Sequence, residues 1–473
     1  MTLEGVQEAV NAVRVNPIRQ WKGIPVTVFG LGRSGESAAH LLHALGADVT
    51  IIEERITEEG QQIRDRLIQQ GIQVMVGDTA EEGCAKANLV VVSPGVPKEH
   101  PVVRKIQQRG TPVIGEIELA SWLLTVPIIA VTGTNGKSTT VRLIGAILQQ
   151  SGKTVFVGGN LGTPLCEAVS RPEENGIQPA YEWIVAEVSS FQLETIHHFQ
   201  PHVAVLLNVT PDHLDRHPTK ADYIAAKQRI FQNQTTSDIA FINWDDSVVR
   251  SMAAHARSQM YAFSLLEPVE RGLYLEKDTI RARMNGNDVP IMKRDQLPLP
   301  GEHNVANAMA AIGVGLLCGC SVPEIIEGLQ RIPAFEHALE AVREWQGVRF
   351  INDSKGTNVD ATLKAIQSFH EPVILILGGK DKGGEFSQLA ESVRRGVKSL
   401  VVIGEAAPKI QAALGSIRPL TVAPTLTEAV ARAAQAASPG DVVLFSPACA
   451  SFDMFRNYHH RGLEFKRIVG ELS

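Results

Sequence analysis

Strand-like apolar runs alternate with amphipathic helical stretches along almost all of this 473-residue chain. That alternation predicts an α/β protein with parallel sheets wrapped by helices. Three series can be separated, which agrees with the rough expectation of one domain per ~150 residues. The first starts at IPVTVFG, turns through Gly30-Leu31-Gly32-Arg33-Ser34-Gly35 and continues into ESAAHLLHALG and ADVTIIEE. The second starts at PIIAVTG, with further strands expected at EWIVAEVSS, PHVAVLLNVT, DIAFINWD and GLYLEKDTIRARMNG. The third follows Arg331-Ile332-Pro333, with strands expected at VRFINDS, EPVILILGG, SLVVIG and DVVLFSP. The boundaries read as an extension over 1–22 and domains over 23–126, 127–332 and 333–473.

Hydrophobic residues make up 44% of the chain and charged residues 20%, which supplies several cores and excludes global disorder. Lys and Arg total 45 against 51 Asp and Glu, so there is no basic excess for nucleic-acid binding, and any anion site must be local. The longest apolar runs fall short of the ~18 residues that span a bilayer. The amino terminus has no signal-peptide core. Five scattered cysteines, Cys84, Cys166, Cys318, Cys320 and Cys449, suit reduced thiols better than a disulfide frame, and Cys318-x-Cys320 has no second ligand pair nearby. The expectation is a cytoplasmic protein.

Two loops carry phosphate chemistry. Gly30, Gly32 and Gly35 lie between a strand and a helix, and Glu53 or Glu54 ends the next strand. Such glycines let backbone approach a pyrophosphate at a helix amino terminus, and the acid accepts a sugar hydroxyl. A tight turn without a ligand gives the same spacing. The second loop, Gly133-Thr134-Asn135-Gly136-Lys137-Ser138-Thr139, is sharper: amides cradle phosphates, Lys137 reaches the terminal ones and Ser138 reaches magnesium. It departs from the full pattern at Val131, where a glycine is usual. The first loop alone suggests an NAD(P)-dependent oxidoreductase. Hydride transfer has no use for the second, whereas a ligase joining a nucleotide-linked substrate to another molecule at the expense of ATP needs both. A non-catalytic nucleotide-binding regulator is a further alternative.

Downstream, Glu187 ends a buried-looking strand and is a plausible ligand for a hard cation. NVTPDHLDRHP carries Asp212, His213, Asp215 and His217. His213 suits a metal, a ligand-orienting role or an ordinary structural hydrogen bond. Lys227, on ADYIAAKQRIF, reads by default as a solvated surface lysine.

The set GTNGKST, AEVSSFQLE, NVTPDHLDRHP, AAKQRIF, GEHNVANAMAA, INDSKGTN, GGKDKGGEF and SPACASFDMFRNYHHRG resembles the Mur ligase family, from about Ile24 to the carboxyl end. The last three motifs resemble most specifically the members that add D-glutamate; a sibling adding another amino acid is the alternative within the family. The resemblance implies three domains: a Rossmann-like UDP-binding domain, a central P-loop-type ATPase domain with a mostly parallel sheet, and a Rossmann-like carboxyl-terminal domain. It implies an enzyme that joins UDP-N-acetylmuramoyl-L-alanine to D-glutamate with ATP and Mg2+, through an acyl phosphate and a tetrahedral intermediate; a monomer is expected, and charge and apolar-run length predict no nucleic acid and no membrane span. By motif, Gly133 to Thr139 would hold the ATP phosphates. Ser138 and Glu187 would hold a first magnesium, and His213 with a carbamylated Lys227 a second. Asn304 and Asn307 would face the adenine, with Asp353 and Lys355 at the ribose and phosphates. Arg33, Ser34, Glu53, Glu54, Ser93 and Gly95 would hold the UDP, and Asn160 and Ser189 the muramoyl-alanine part. Lys382, Thr357, Ser451 and the backbone at Tyr458 would take D-glutamate. Three departures stand out: His337-Ala338 where His-Arg is usual, the Glu53-Glu54 pair, and Tyr458 in place of phenylalanine.

Overall fold

The computed structural model describes residues 21–160, 162–170, 179–212, 216–284, 286–299, 301–332 and 335–472. The structure is mixed α/β with three sheets, mostly parallel. The first sheet runs in the order Gln73–Val76, Asp48–Glu53, Pro25–Phe29, Leu89–Val92, Val113–Gly115, all parallel. The order reverses beside Pro25–Phe29. In such sheets ligands sit at that switch point, off the carboxyl ends of the strands. Only Pro25–Phe29 and Asp48–Glu53 are evident from the sequence; the other three strands are short, of three to four residues.

The central sheet has nine strands: Asn287–Lys293, Thr279–Met284, Gly272–Glu276, Gln259–Ser264, Ile239–Asn243, Val203–Leu206, Ile128–Thr132, Trp183–Glu187 and Val155–Gly159. The stretch expected as one strand, GLYLEKDTIRARMNG, is instead two antiparallel strands, extended by a third over Asn287–Lys293. Lys277 turns the first hairpin with φ 54, a break that apolar alternation does not reveal. The third sheet has six strands: Glu340–Trp345, Val348–Asn352, Val442–Phe445, Val373–Gly378, Val397–Ile403 and Leu420–Val422, with only the first antiparallel.

By packing, the chain forms two compact units. One comprises residues up to Val209, Ala221–Arg294 and Ala308–Gln330; the other comprises Thr210–Lys220, Asp295–Asn307 and the chain from Arg331 onward. In the first unit a single apolar cluster runs from Trp21, Val28 and Leu42 beside the first sheet to Ile184, Leu206 and Ile242 in the central one. A buried carboxylate reinforces that continuity. Glu118, on the helix Glu116–Leu123, is fully buried and accepts the backbone N–H groups of His197 (2.9 Å), His198 (2.7 Å) and Phe199 (2.9 Å), plus Trp122 Nε1–H (2.7 Å). Its neighbour Glu116 accepts the Cys166 N–H through Oε1, while Oε2 has no partner among the described residues. Burial pushes the Glu116 carboxyl up to about 7. In the second unit the six-stranded sheet buries apolar residues on both faces, Leu375 and Leu444 on one and Ile376 and Phe445 on the other.

Candidate active site

The first unit presents two constellations. At the switch point of the first sheet, a cleft of about 460 Å³ is lined by Arg33, Ser34, Glu53, Glu54, Ser93 and Gly95 together with the glycine loop. All six first-domain candidates are therefore brought together, although they come from three separate segments of the chain. The glycines at 30 and 35 are required by space. A Cβ on Gly35 would stand 2.0 Å from the Gly30 carbonyl oxygen, and one on Gly30 would stand 2.8 Å from Ser93, whose hydroxyl donates to that same carbonyl. Glu53 is turned back on the loop, accepting Leu31 N–H (2.8 Å) and Arg55 N–H (3.1 Å). Glu54 pairs with His100 at 3.1 Å. His100, which sequence reading passed over, stands edge-on to Phe29 and lines the cleft.

The second constellation is built on the carboxyl ends of three adjacent central strands. Ile128–Thr132 delivers the loop, Trp183–Glu187 delivers Glu187, and Val203–Leu206 leads to Asn208. Gly133 (φ 156) and Gly136 (φ 87) turn the loop into the helix Lys137–Gln150. Asn208 clasps the loop from the side: its carbonyl accepts Thr134 N–H, its Oδ1 accepts Asn135 N–H (2.8 Å) and its amide donates to the Asn135 carbonyl (3.0 Å). The Thr134 hydroxyl meets the Tyr223 hydroxyl at 3.0 Å.

Lys137 Nζ donates to the carbonyls of Gly133 (2.9 Å) and Thr134 (2.8 Å), and Lys227 Nζ donates to that same Gly133 carbonyl at 2.8 Å. Two ammonium groups thus converge beside amides at a helix amino terminus, an arrangement suited to polyphosphate. Here the expectation of a solvated Lys227 is corrected. The residue is 2% exposed, packed over the Tyr223 ring at 4.7 Å, because its helix turns this face toward the loop. A single turn of polar sequence does not show which face that is.

Glu187, 4% exposed, accepts Ser138 Oγ–H through Oε2 (2.6 Å) and the Asn160 amide through Oε1 (2.9 Å). Asn160, Ser138 and Glu187 therefore form one chain of contacts. A buried carboxylate joined to a hydroxyl is an oxygen donor set that fits a hard divalent cation. Ser189 caps the short helix that follows this strand. Thr139 lies in the first turn of the loop's helix. His213 and Asp215 lie outside the described residues, as does most of the 1–22 extension.

The second unit gathers the remaining candidates. A pocket of about 390 Å³ is lined by Asp212, Thr357, Asn358, Lys382 and neighbouring loop residues. Lys382 Nζ meets Asp212 Oδ1 at 2.8 Å, and the Asn358 amide donates to the other oxygen at 3.1 Å. Ser451 and Tyr458 do not line this pocket. Ser451 is buried; Tyr458 starts the helix Tyr458–Gly470, and its carbonyl accepts Ser354 Oγ–H at 2.8 Å. Asp353 accepts Ser446 Oγ–H (2.7 Å) and Leu339 N–H (3.2 Å), and burial pushes its carboxyl up to about 7. Lys355 donates its N–H to the His337 carbonyl at 2.9 Å. Asn304 and Asn307 share an amide contact at 3.3 Å on one helix face. Arg461, 1% exposed, ties Ser354 to the Cys449 carbonyl, and burial pulls its guanidinium down to about 10.

Comparison with known proteins decides the family. Three family models match in order: "Mur ligase MurD-like, N-terminal domain" over residues 25–115, "Mur ligase middle domain" over 131–315 and "Mur ligase, glutamate ligase domain" over 339–449. A protein named UDP-N-acetylmuramoylalanine–D-glutamate ligase from Koribacter versatilis is 42% identical over 96% of this chain and 98% of its own length. The chain belongs to the Mur ligase family. A second Mur ligase of the same name, from Acidobacterium capsulatum, is 44% identical over 95% of this chain and 96% of its own length. Among solved Mur ligase structures, the UDP-N-acetylmuramate-alanine ligase of Thermotoga maritima aligns over 94% of this chain and 99% of its own, with TM-score 0.59 and 18% identity. The MurF ligase of the same organism, solved with ADP, aligns over 97% of each chain with TM-score 0.58 and 18% identity, and these two show the shared fold. No helix among the described residues of this Mur ligase is long and apolar enough to cross a membrane.

Proposed function

We propose that this Mur ligase joins the alanyl carboxylate of UDP-N-acetylmuramoyl-L-alanine to the amine of D-glutamate, splitting ATP to ADP and phosphate, in cytoplasmic peptidoglycan precursor synthesis. The observation that carries the reading is the Gly133–Thr139 loop, on which two lysines converge while the Ser138–Glu187–Asn160 chain stands alongside. The substrate assignment is supported by relatives that carry that name at 42% and 44% identity over nearly their whole length.

A carboxylate is a poor electrophile. Its attack on the γ-phosphorus forms an acyl C–O–P link and breaks the β–γ bridge, releasing ADP. The D-glutamate amine then adds to the acyl carbon to give a tetrahedral species, which expels phosphate. Loop amides and Lys137 stabilise charge on the transferring phosphoryl. Ser138 and Glu187 would hold a magnesium ion, whose contribution is charge neutralisation on the phosphate oxygens. His213 and a carbamylated Lys227 would hold a second. Asn304, Asn307, Asp353 and Lys355 are assigned to ATP, and the 460 Å³ cleft, with Asn160 and Ser189, to the UDP substrate. Thr357, Lys382, Ser451 and Tyr458 are assigned to D-glutamate. This reading divides the chain at 23–126, 127–332 and 333–473 and takes the protein as a monomer.

Phosphate release from ATP and magnesium, with UDP-N-acetylmuramoyl-L-alanine and one candidate amino acid at a time, tests it. Turnover with D-glutamate, but not with L-glutamate, L-alanine or diaminopimelate, is expected. A Lys137→Ala variant should lose about 100- to 1,000-fold in rate. Turnover with another amino acid alone would overturn the substrate, and full activity of Lys137→Ala would overturn the loop assignment.

A further inference from the structure

The segment Glu336–Glu340 holds two residues, His337 and Leu339 (φ 49), in a conformation that side chains rarely adopt. His337 has φ 62 although it is not glycine, and its ring is 1% exposed. A left-handed residue of this kind persists only where its surroundings fix it. Here three contacts do so. His337 Nε2 lies 2.8 Å from His459 Nδ1, with the rings edge to face at 4.7 Å and 75°. His337 Nδ1 lies 2.9 Å from the Asn352 amide nitrogen. The ring also packs on Gly462, where a Cβ would fall 2.3 Å from Nδ1.

The backbone around that ring holds residues assigned above to the nucleotide. The His337 carbonyl accepts Lys355 N–H at 2.9 Å, and Leu339 N–H donates to Asp353 Oδ1 at 3.2 Å. On the other side, His459 directly follows Tyr458 on the helix assigned to D-glutamate, and Ser354 ties the Tyr458 carbonyl to Arg461. All these groups belong to the second unit.

We propose that His459 is a positioning residue which, by sharing a single bridging proton with His337, locks the start of the helix Tyr458–Gly470 to the segment 336–340, so that Asp353, Lys355 and Tyr458 are set as one piece. The inference rests on the functional reading above for what those three residues do.

The proton inventory gives the lock a pH signature. The Asn352 oxygen accepts Ser354 N–H at 3.1 Å, so its NH2 faces His337 Nδ1, which accepts. His337 Nε2 therefore carries the hydrogen and donates to His459 Nδ1. One added proton falls on His337 Nδ1, which gives up the Asn352 amide contact for Glu340 Oε2 at 3.6 Å, and the bridge survives by reversing, His459 Nδ1–H donating to His337 Nε2. A second proton leaves no acceptor, and the bridge breaks. Burial, His459 and Lys466 disfavour charge on His337, while Glu340 and Glu336 favour it, and the balance lies below the ordinary imidazole value. The bridge is thus intact at neutral pH and lost in the acid range.

Steady-state kinetics from pH 5 to 8 on wild type, His459→Ala and His459→Asn, whose Oδ1 replaces Nδ1 as acceptor, test this. In His459→Ala the KM values for ATP and D-glutamate should rise together, each about three- to tenfold, as for one lost hydrogen bond. His459→Asn should restore both at pH 8 and remove the acid rise in KM. A His459→Ala variant with both KM values within about twofold of wild type, or with only one shifted, overturns the lock. So does an acid limb retained in His459→Asn. Wild-type turnover in the same series tests the functional reading separately. Amide exchange at Lys355 and Arg461, whose N–H groups are held by the carbonyls of His337 and Asn457, reads the lock without substrate: both should exchange faster in His459→Ala, and unchanged protection overturns the proposal.

Discussion

Removing the Glu118 carboxylate should unfasten the helix Glu116–Leu123 from the 197–199 segment. The carboxylate is fully buried and receives four donors between 2.7 and 2.9 Å, three of them backbone amides that no other side chain in the contact can satisfy. Each buried donor left unpaired costs ~1–3 kcal/mol. Water entering the space left by Glu118→Ala recovers part of that, so the net loss is about 4 kcal/mol, within the range for breaking a buried charged contact. At about 2 °C per kcal/mol for a large body, the melting temperature falls by about 8 °C. Glu118→Gln should cost roughly half as much, because one of its two heads then turns an N–H toward an N–H. Differential scanning calorimetry gives the first quantity. Hydrogen exchange of the 197–199 amides gives the local one, which should accelerate in the alanine variant. Melting within about 2 °C of wild type, together with unchanged exchange at those amides, would refute the reasoning.

Gly133→Ala should abolish most phosphate release, about 100-fold, because its Cβ would meet Leu207 Cβ at 3.0 Å and Asn208 N at 3.3 Å at a φ of 156°; steady-state turnover within threefold of wild type would contradict the close approach. Glu116 keeps its proton in the native state up to about 7, whereas the unfolded chain loses it from 4.5 upward, so its burial lowers stability as pH rises through that window. Glu116→Gln should therefore melt progressively higher relative to wild type between pH 5 and pH 8, and parallel melting curves would sink the assignment. Lys382→Met should raise the KM for D-glutamate at least about tenfold while leaving that for ATP near wild type; an unchanged D-glutamate KM would remove Lys382 from the acceptor site.

What the sequence discloses is chemistry that is local along the chain. Gly133 to Thr139 and Gly30 to Gly35 carry their strand, turn and helix within a dozen residues, so spacing alone shows the loops. The segment expected as a single strand at 272–286 fails for the opposite reason: a hairpin turned by Lys277 carries no glycine, proline or asparagine at that point. The burial of Lys227 is not legible in the sequence, because a helix's buried face depends on what it packs against. Asn208 and Tyr223, which brace the Gly133–Thr139 loop, are separated from their partners in it by 73 and 89 residues. A polar Asn208 directly after the apolar run VAVLL is the one signal that could have found the first of them. His459 reads as one of two consecutive surface histidines, and only the fold shows that it faces His337.

The pairing of Lys382 with Asp212 has a consequence for biogenesis. The two residues are 170 positions apart, and the segment that bears Asp212 packs with chain made much later. At ribosomal rates of about 5–20 residues per second, that carboxylate emerges roughly 10 to 30 s before its lysine exists. During that interval the first unit can condense around its own strands, while Asp212 waits for the lysine that will meet it. Synthesis as far as Lys382, not completion of the strands that precede Asp212, sets when this ion pair can first form.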